Sequence, residues 1–222
     1  MNIRSLLVMS ILYLPTAEMH ANAYTWIKGV LRNPATVGAI APCSAYTARA
    51  LVRYVRNKEN RPLSILEVGA GTGAITQEII KYMGKDDHLD CIELDQEYCA
   101  QLAKKIGDQP NVRIHALSIT DFNPTKKYDV IISTLPFNSL PSDLVVEIVE
   151  KYKSVAQEGC YVSYIEYIAL GTMKRLTLND SERLEWDNKQ EALESWRKQY
   201  GIGKKIIMRN MPPAYVYYLK LS

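Results

Sequence analysis

"ILEVGAGTGAIT" (65–76) decides the fold. Four residues dominated by Ile, Leu and Val read as a buried strand, and three glycines at alternate positions make a tight turn. Ala74, Ile75 and Thr76 then start a helix. A strand running through a glycine turn into a helix opens a βαβ unit, whose turn and helix N-terminus present backbone N–H groups to a ligand. Gly69, Gly71 and Ala74 satisfy the G-x-G-x-x-A dinucleotide fingerprint, so nicotinamide or flavin binding has to be weighed. Glu67 discriminates. It lies two residues before the first glycine, near the strand's carboxyl end, where it would repel a pyrophosphate but can pair with an ammonium. Glu93 ends the next strand in "CIELD" (91–95), placed to take two ribose hydroxyls, a use that the nicotinamide enzymes share.

Outward from this turn the pattern alternates. Ser44 is expected to cap a helix reaching about Asn57. Strand 63–68 leads to helix 74–83, which Gly84 stops; strand 88–94 leads to helix 96–106, which Gly107 stops. Strands 112–116 and 128–133 follow, then a helix from Ser142 to about Ala156 and strand 160–167 after Gly159. Buried strands alternating with helices predict an α/β fold with a mostly parallel sheet covered on both faces. The tail differs: a polar helix over 181–200 ends at Gly201, and strands 203–209 and 214–221 pair antiparallel across "NMPP". On the amino-terminal side, Thr16 can cap a helix to about Arg32 that Asn33-Pro34 ends.

A chain of 222 residues suits one α/β domain with a full core. Cys43, Cys91, Cys99 and Cys160 show no CxxC or Cys/His spacing, which argues against structural zinc and for reduced thiols. His20, His88 and His115 fall in no ligand spacing, and no metal is expected. Net charge is +3 but uneven: residues 1–61 hold eight Lys or Arg against two Glu. A basic end on a near-neutral body suits an anionic partner, either nucleic acid or an acidic membrane surface. "LLVMSILYL" (6–14) behind Arg4, followed by Ala21-Asn22-Ala23, has the form of an export signal. The run falls short of the roughly 20 residues that span a bilayer.

Glu67, Gly69, Gly71 and Gly73 meet in full the E/D-x-G-x-G-x-G motif of the class I S-adenosylmethionine-dependent methyltransferases, which this sequence resembles over roughly 44–222. The resemblance implies a Rossmann-like seven-stranded sheet with a C-terminal antiparallel hairpin, and S-adenosyl-L-methionine as cofactor. It assigns to that cofactor Glu67 at the methionine amino end, the loop Gly69, Ala70, Gly71 and Gly73, Glu93 and Leu94 at the ribose, and Ser133. At the adenine position the family usually has Asp; here Ser118 and Ile119 align, with Asp121 or a carbonyl as substitute.

"TLPFN" (134–138) resembles the Asn-Leu-Pro-aromatic loop of the rRNA adenine dimethylases, with Thr134 where their Asn stands. Without that side-chain amide the paired hydrogen bonds to a base edge are lost, and an exposed Phe137 ring can instead cover an alkylammonium. "LRNPATVGAIAPCSAYTARAL" (31–51) and "NMPPAYVY" (210–217) look like the bacterial phospholipid N-methyltransferases. Cys43 departs from their Pro-Ser-Ser, and residues 177–197 exceed the usual length. This second resemblance implies methylation of phosphatidylethanolamine at a membrane, with nucleic acid disfavoured. Phe137 and Tyr164 would then form the acceptor pocket, Glu166 its wall, and Tyr24 and Tyr46 could close it. Residues 1–43, carrying Leu6, Leu7, Ile11, Trp26, Arg4, Lys28 and Arg32, would form a membrane-facing or lid segment on an anionic surface. Residues 44–222 would be the methyltransferase domain. Because S-adenosylmethionine is kept inside cells, the expected location is cytoplasmic, on the inner membrane face. An rRNA adenine dimethylase-like enzyme and a cofactor-binding module without activity are the alternatives.

Overall fold

The computed structural model describes residues 43–59, 61–168, 179–210 and 212–222. The expectations for the N-terminal helix, the apolar run 6–14 and Tyr24 lie outside these residues. Its elements are α1 (Ala45–Leu51), α2 (Arg53–Arg56), β1 (Ser64–Val68), α3 (Ala74–Ile80), β2 (His88–Glu93), α4 (Gln96–Ile106), β3 (Val112–Ala116) and β4 (Tyr128–Ser133). After these come α5 (Ser142–Val155), β5 (Ala156–Tyr167), α6 (Asp180–Tyr200), β6 (Gly201–Ile207) and β7 (Ala214–Lys220).

The strands form one seven-stranded sheet in the order β3-β2-β1-β4-β5-β7-β6. β1 to β5 pair in parallel, whereas β7 runs antiparallel to both β5 and β6. The expected mostly parallel sheet with a C-terminal hairpin is the observed one. Alternation along the buried strands divides the core. Leu66, Ile131, Val162 and Leu219 pack with Tyr152 of α5 and Trp196 of α6 on one face. Ile65, Val130 and Val216 pack with Leu51, Val55, Ile79 and Leu102 on the other.

Several boundaries follow from helix caps, among which Ser44 was expected. The Ser44 side chain accepts from the Thr47 N–H, and Asp95 caps α4 by accepting from the Glu97 N–H. Asn179 and Glu182 form a reciprocal capping box on α6. Other boundaries moved. The helix from Ser44 breaks at Val52 instead of running on to Asn57. β5 starts at Ala156, because Gly159 at φ 75° lets a bulge carry the strand past the expected stop. β6 starts at Gly201, directly from α6: the Gly201 N–H bonds to the Arg197 carbonyl, and a Cβ there would collide with that same oxygen.

Candidate active site

The sheet reverses its winding between β1 and β4, and the glycine turn leaves β1 at this switch point, where open α/β sheets bind ligands. Gly69, Gly71 and Gly73 all have positive φ, at 80°, 53° and 85°. The Gly69 and Ala70 N–H groups both bond to the Ile92 carbonyl, so the turn is tied to the next strand. A Cβ on Gly71 would meet no protein atom within 4 Å, so this glycine borders open space. Gly73 is different: a Cβ there would stand 2.5 Å from Leu102 Cδ1, so its small size serves packing against α4.

Beside the turn lies an apolar cleft lined by Val68, Gly69, Ile92, Glu93, Leu94, Leu117, Ser118, Ile119, Leu135, Leu140 and Ile148. It brings together Gly69, Glu93, Leu94, Ser118 and Ile119, all expected at the cofactor. Leu117, Leu135, Leu140 and Ile148 were not foreseen; each is an apolar residue in a loop that follows a strand or on α5, a signal that any core position also gives. Asp121 does not line the cleft. Neither does Ser133. Its Oγ, wholly buried, accepts the Tyr152 hydroxyl at 2.8 Å and faces the core, so the expected cofactor contact is corrected to a core one.

Glu93 accepts the Gly71 N–H at 2.7 Å with one oxygen and the Asp95 N–H at 2.9 Å with the other. A carboxylate oxygen can accept more than one hydrogen bond, a capacity that ribose hydroxyls of a ligand would use. Glu67 lies under the turn, 0% exposed. Its Oε2 accepts the Thr76 hydroxyl at 2.6 Å and a Cys91 thiol contact at 3.5 Å, while Oε1 is buried without a hydrogen-bond partner. Burial pushes the carboxyl up to about 7, against the pull of the Thr76 and Cys91 bonds. A buried acceptor left unpaired is costly, and an ammonium group would satisfy it. The orphaned oxygen, the open space at Gly71 and the cleft at Glu93 together fit S-adenosyl-L-methionine.

Asn210 supplies a contact that no reading of single motifs revealed. Its Oδ1 accepts from the Ser44 N–H at 3.0 Å and from Thr47 Oγ1 at 2.9 Å, joining the "PCSAYTARAL" helix start to the "NMPPAYVY" turn.

The loop after β4 departs from expectation in two ways. Thr134 donates its hydroxyl proton to the Gly69 carbonyl at 2.5 Å, and its N–H bonds to the Val68 carbonyl at 3.0 Å. The threonine therefore ties this loop to the glycine turn. Phe137, expected to stand exposed, is 1% exposed and meets the Tyr164 ring edge-on at 5.4 Å. Tyr164 is itself wholly buried, stacked on Trp196 and on Tyr217. Both rings, expected to form an acceptor pocket, are packed in the core and open to no ligand.

Beyond these rings lies a groove lined by Glu166, Tyr167, Trp186, Asp187, Gln190, Glu191, Glu194, Tyr215 and Tyr217, with Ile168. Arg197 sits behind it, donating to Glu166 Oε2 at 2.8 Å and lying 4.8 Å from the Tyr217 ring. Burial pushes the Glu166 carboxyl above its ordinary range, with Arg197 and Asn138 pulling against that. Asn138 also donates to the Tyr167 carbonyl at 3.4 Å, and its own Oδ1 is buried without a partner. Loop 134–140 thus stands between cleft and groove: Leu135 and Leu140 line the first, and Asn138 touches Glu166 of the second. Among the described residues no group of His, Cys, Asp and Glu could hold a metal ion, and no helix is long and apolar enough to cross a membrane.

Residues 65–159 match the family model of a methyltransferase domain. The chain is 30% identical over 106 residues to malonyl-[acyl-carrier protein] O-methyltransferase 1 of Ilyobacter polytropus, a match covering 48% of this chain and 39% of that protein. It is 25% identical over 125 residues to the ornithine lipid N-methyltransferase of Singulisphaera acidiphila, covering 54% of this chain and 64% of the relative. Both matches span less than two thirds of the relative's own length. In fold it is similar to the crystal structure of N-methyltransferase NodS from Bradyrhizobium japonicum with S-adenosyl-l-homocysteine. That likeness has a TM-score of 0.59 at 10% identity and covers 90% of this chain and 98% of the other. Sheet order and glycine turn are those of the class I S-adenosylmethionine-dependent methyltransferase fold, residues 65–159 match a methyltransferase domain, and the residues at the turn fit S-adenosyl-L-methionine.

Glu93→Ala is expected to weaken S-adenosylmethionine binding. It removes two acceptors for ribose hydroxyls, each worth roughly 1–3 kcal/mol when the partner is left unpaired in a buried site. Calorimetry giving the parent's affinity would refute the ribose assignment.

Proposed function

We propose that this protein transfers methyl groups from S-adenosyl-L-methionine to the amine of phosphatidylethanolamine at a membrane surface. The observation that carries the reading is the groove beside the cofactor cleft, with four carboxylates (Glu166, Asp187, Glu191, Glu194) and no basic residue in its lining. Such a groove attracts a cationic amine and repels a carboxylate acceptor. Rings in its lining already face the protein's own cations, Trp186 facing Lys189, Tyr217 facing Arg197 and Tyr215 facing Lys204. The carboxylates therefore carry the attraction for an alkylammonium, and they suit every methylation stage because a quaternary product keeps its charge. Similarity to a lipid N-methyltransferase supports the same reading.

When bound, the cofactor supplies an electrophilic methyl group, displaced in line from the sulfonium. The chain's part is alignment and proton removal. A primary ammonium has a pKa near 10.4 in water, so it must lose a proton before it attacks. We assign that proton to Glu166, which burial holds partly in reserve as a base and Arg197 orients. An adenine acceptor is disfavoured by Thr134, whose hydroxyl proton is already committed to Gly69. Docking through residues 1–43 and a location on the inner face of the membrane belong to the same proposal.

The test is direct. The full chain is incubated with methyl-labelled S-adenosylmethionine and a mixture of phosphatidylethanolamine vesicles and RNA. Label is expected in the lipid fraction, on nitrogen. Label in RNA, or in added malonyl-thioester instead of lipid, would overturn the reading.

A further inference from the structure

A second groove lies away from the cofactor, between helices α1–α2 and the edge strand β6. Arg49, Arg53 and Arg56 recur along one helical side, and Lys205 and Arg209 face them from β6 and its turn. Its buried floor is Ala50, Ile207 and Tyr218.

Five cations here are poorly neutralised. Arg49 reaches Glu78 at 3.7 Å and is 63% exposed in its side chain. Among the described residues, no carboxylate forms an ion pair with Arg53, Arg56, Lys205 or Arg209. Aromatic rings hold two of them instead. Arg53 lies 5.2 Å from the Tyr218 ring, and Arg209 lies 5.1 Å from Tyr46 while donating to its hydroxyl at 2.6 Å. Like charges gathered in this way repel one another, and an anion relieves the repulsion.

The rim carries apolar side chains. Ile206 and Met208 are 52% and 70% exposed and alternate with Lys205 and Arg209 along the strand end, Ile206 pairing with Tyr215 on the sheet's other face. Large apolar groups on a free sheet edge are an association hazard unless something covers them. Cations interleaved with exposed apolar side chains match a lipid interface, which takes the charges at its phosphates and the apolar groups below them. RNA fits less well. It would need free aromatic faces for stacking, and the Tyr46 and Tyr218 rings are already engaged by guanidinium groups.

We propose that this groove docks on an anionic phospholipid surface, with its cations at lipid phosphates and Ile206 and Met208 in the interface. The inference rests on the phospholipid reading and deepens it by placing a membrane contact outside residues 1–43. Geometry favours it: Tyr218 on the floor and Tyr215 and Tyr217 of the acceptor groove alternate along β7, so the two sites flank one hairpin. A surface that meets the hairpin edge reaches both.

The experiment compares the full chain, Arg56→Glu/Lys205→Glu and Ile206→Ser/Met208→Ser for sedimentation with vesicles of phosphatidylcholine, alone or mixed with phosphatidylglycerol. The parent is expected to prefer the mixed vesicles. The charge variant should lose roughly tenfold or more of that binding, since each basic residue near an anionic surface is worth severalfold, and the apolar variant should also bind more weakly. Both should methylate detergent-dispersed phosphatidylethanolamine as the parent does. If the charge variant fails to fold by thermal melting, Arg56→Gln/Lys205→Gln replaces it, with a smaller loss expected. Parental vesicle binding by these variants overturns the docking site, as does a parent indifferent to phosphatidylglycerol or a groove whose loss affects RNA binding alone. If groove-dependent vesicle binding is seen but the parent methylates no dispersed lipid, the docking site stands and the substrate reading falls.

Discussion

Gly71→Val is expected to bind S-adenosylmethionine about 100-fold more weakly than the parent, or roughly 3 kcal/mol, while still folding. The two consequences have separate causes. The backbone at Gly71 has φ 53°, a region where a β-branched residue costs about 1–3 kcal/mol of strain. No protein atom lies within 4 Å of the added Cβ, so the fold suffers no clash beyond that strain. The same empty space is where the fit to the cofactor places the ligand, beside the Glu93 oxygen that holds the Gly71 N–H. A valine side chain fills it. Gly73→Ala provides the contrast. Its Cβ would press on Leu102 Cδ1 at 2.5 Å, within the buried contact between the turn and α4, so the loss should appear in the thermal midpoint. Calorimetry with thermal melts on both variants separates the effects. Parental binding by Gly71→Val would show that the ligand passes elsewhere.

These two glycines also show what the sequence could and could not convey. Their spacing after a buried strand announced the turn, and β-strand periodicity with capping residues gave the sheet, because both are local properties of the chain. The caps at Ser44 and Gly107 stand where they were expected. What a residue does inside the turn is not local. Gly71 borders open space and Gly73 packs on α4, although the motif treats them alike. Thr134 has the same lesson. Its identity excluded a paired contact to a base, but only the fold reveals the Gly69 carbonyl that takes its proton. Phe137 was read as exposed from its neighbours in sequence; its burial comes from Tyr164, on another strand. Of the acidic groove only Glu166 was expected; its other carboxylates come from a polar helix, where charge in sequence usually means a solvated face. Asn210 and Ser44 meet across 166 positions of sequence, and no periodicity carries that contact.

Glu67 provides the other large expected effect, a pH dependence that reverses when the ligand is present. The carboxyl titrates near 7 in the folded, ligand-free protein, against 4.5 for an ordinary glutamate. Below 4.5 it is protonated in both folded and unfolded chains and costs nothing. Between 4.5 and 7 the unfolded chain releases the proton and the folded one keeps it, so stability falls as pH rises. Above 7 the loss is complete, about 3 kcal/mol, at about 1.4 kcal/mol for each tenfold change in proton affinity. The ligand-free parent should therefore melt progressively lower from pH 5 to pH 8. Glu67→Gln, which keeps an acceptor for the Thr76 hydroxyl, should lose most of that slope and be the more stable protein at pH 8. Cofactor binding should run the other way. An ammonium facing the unpaired Oε1 needs the carboxylate, so the parent's affinity for S-adenosylmethionine should climb through the same window and level off above 7. In Glu67→Gln the affinity should be nearly flat and, at pH 8, weaker by roughly the 1.5–3 kcal/mol of a charged hydrogen bond. Melts and calorimetry from pH 5 to 8 read both slopes in one pair of proteins. A parent whose affinity does not change with pH would mean that the ammonium lies away from Glu67, and the buried carboxyl would then have only Thr76 and Cys91 to account for its place under the turn.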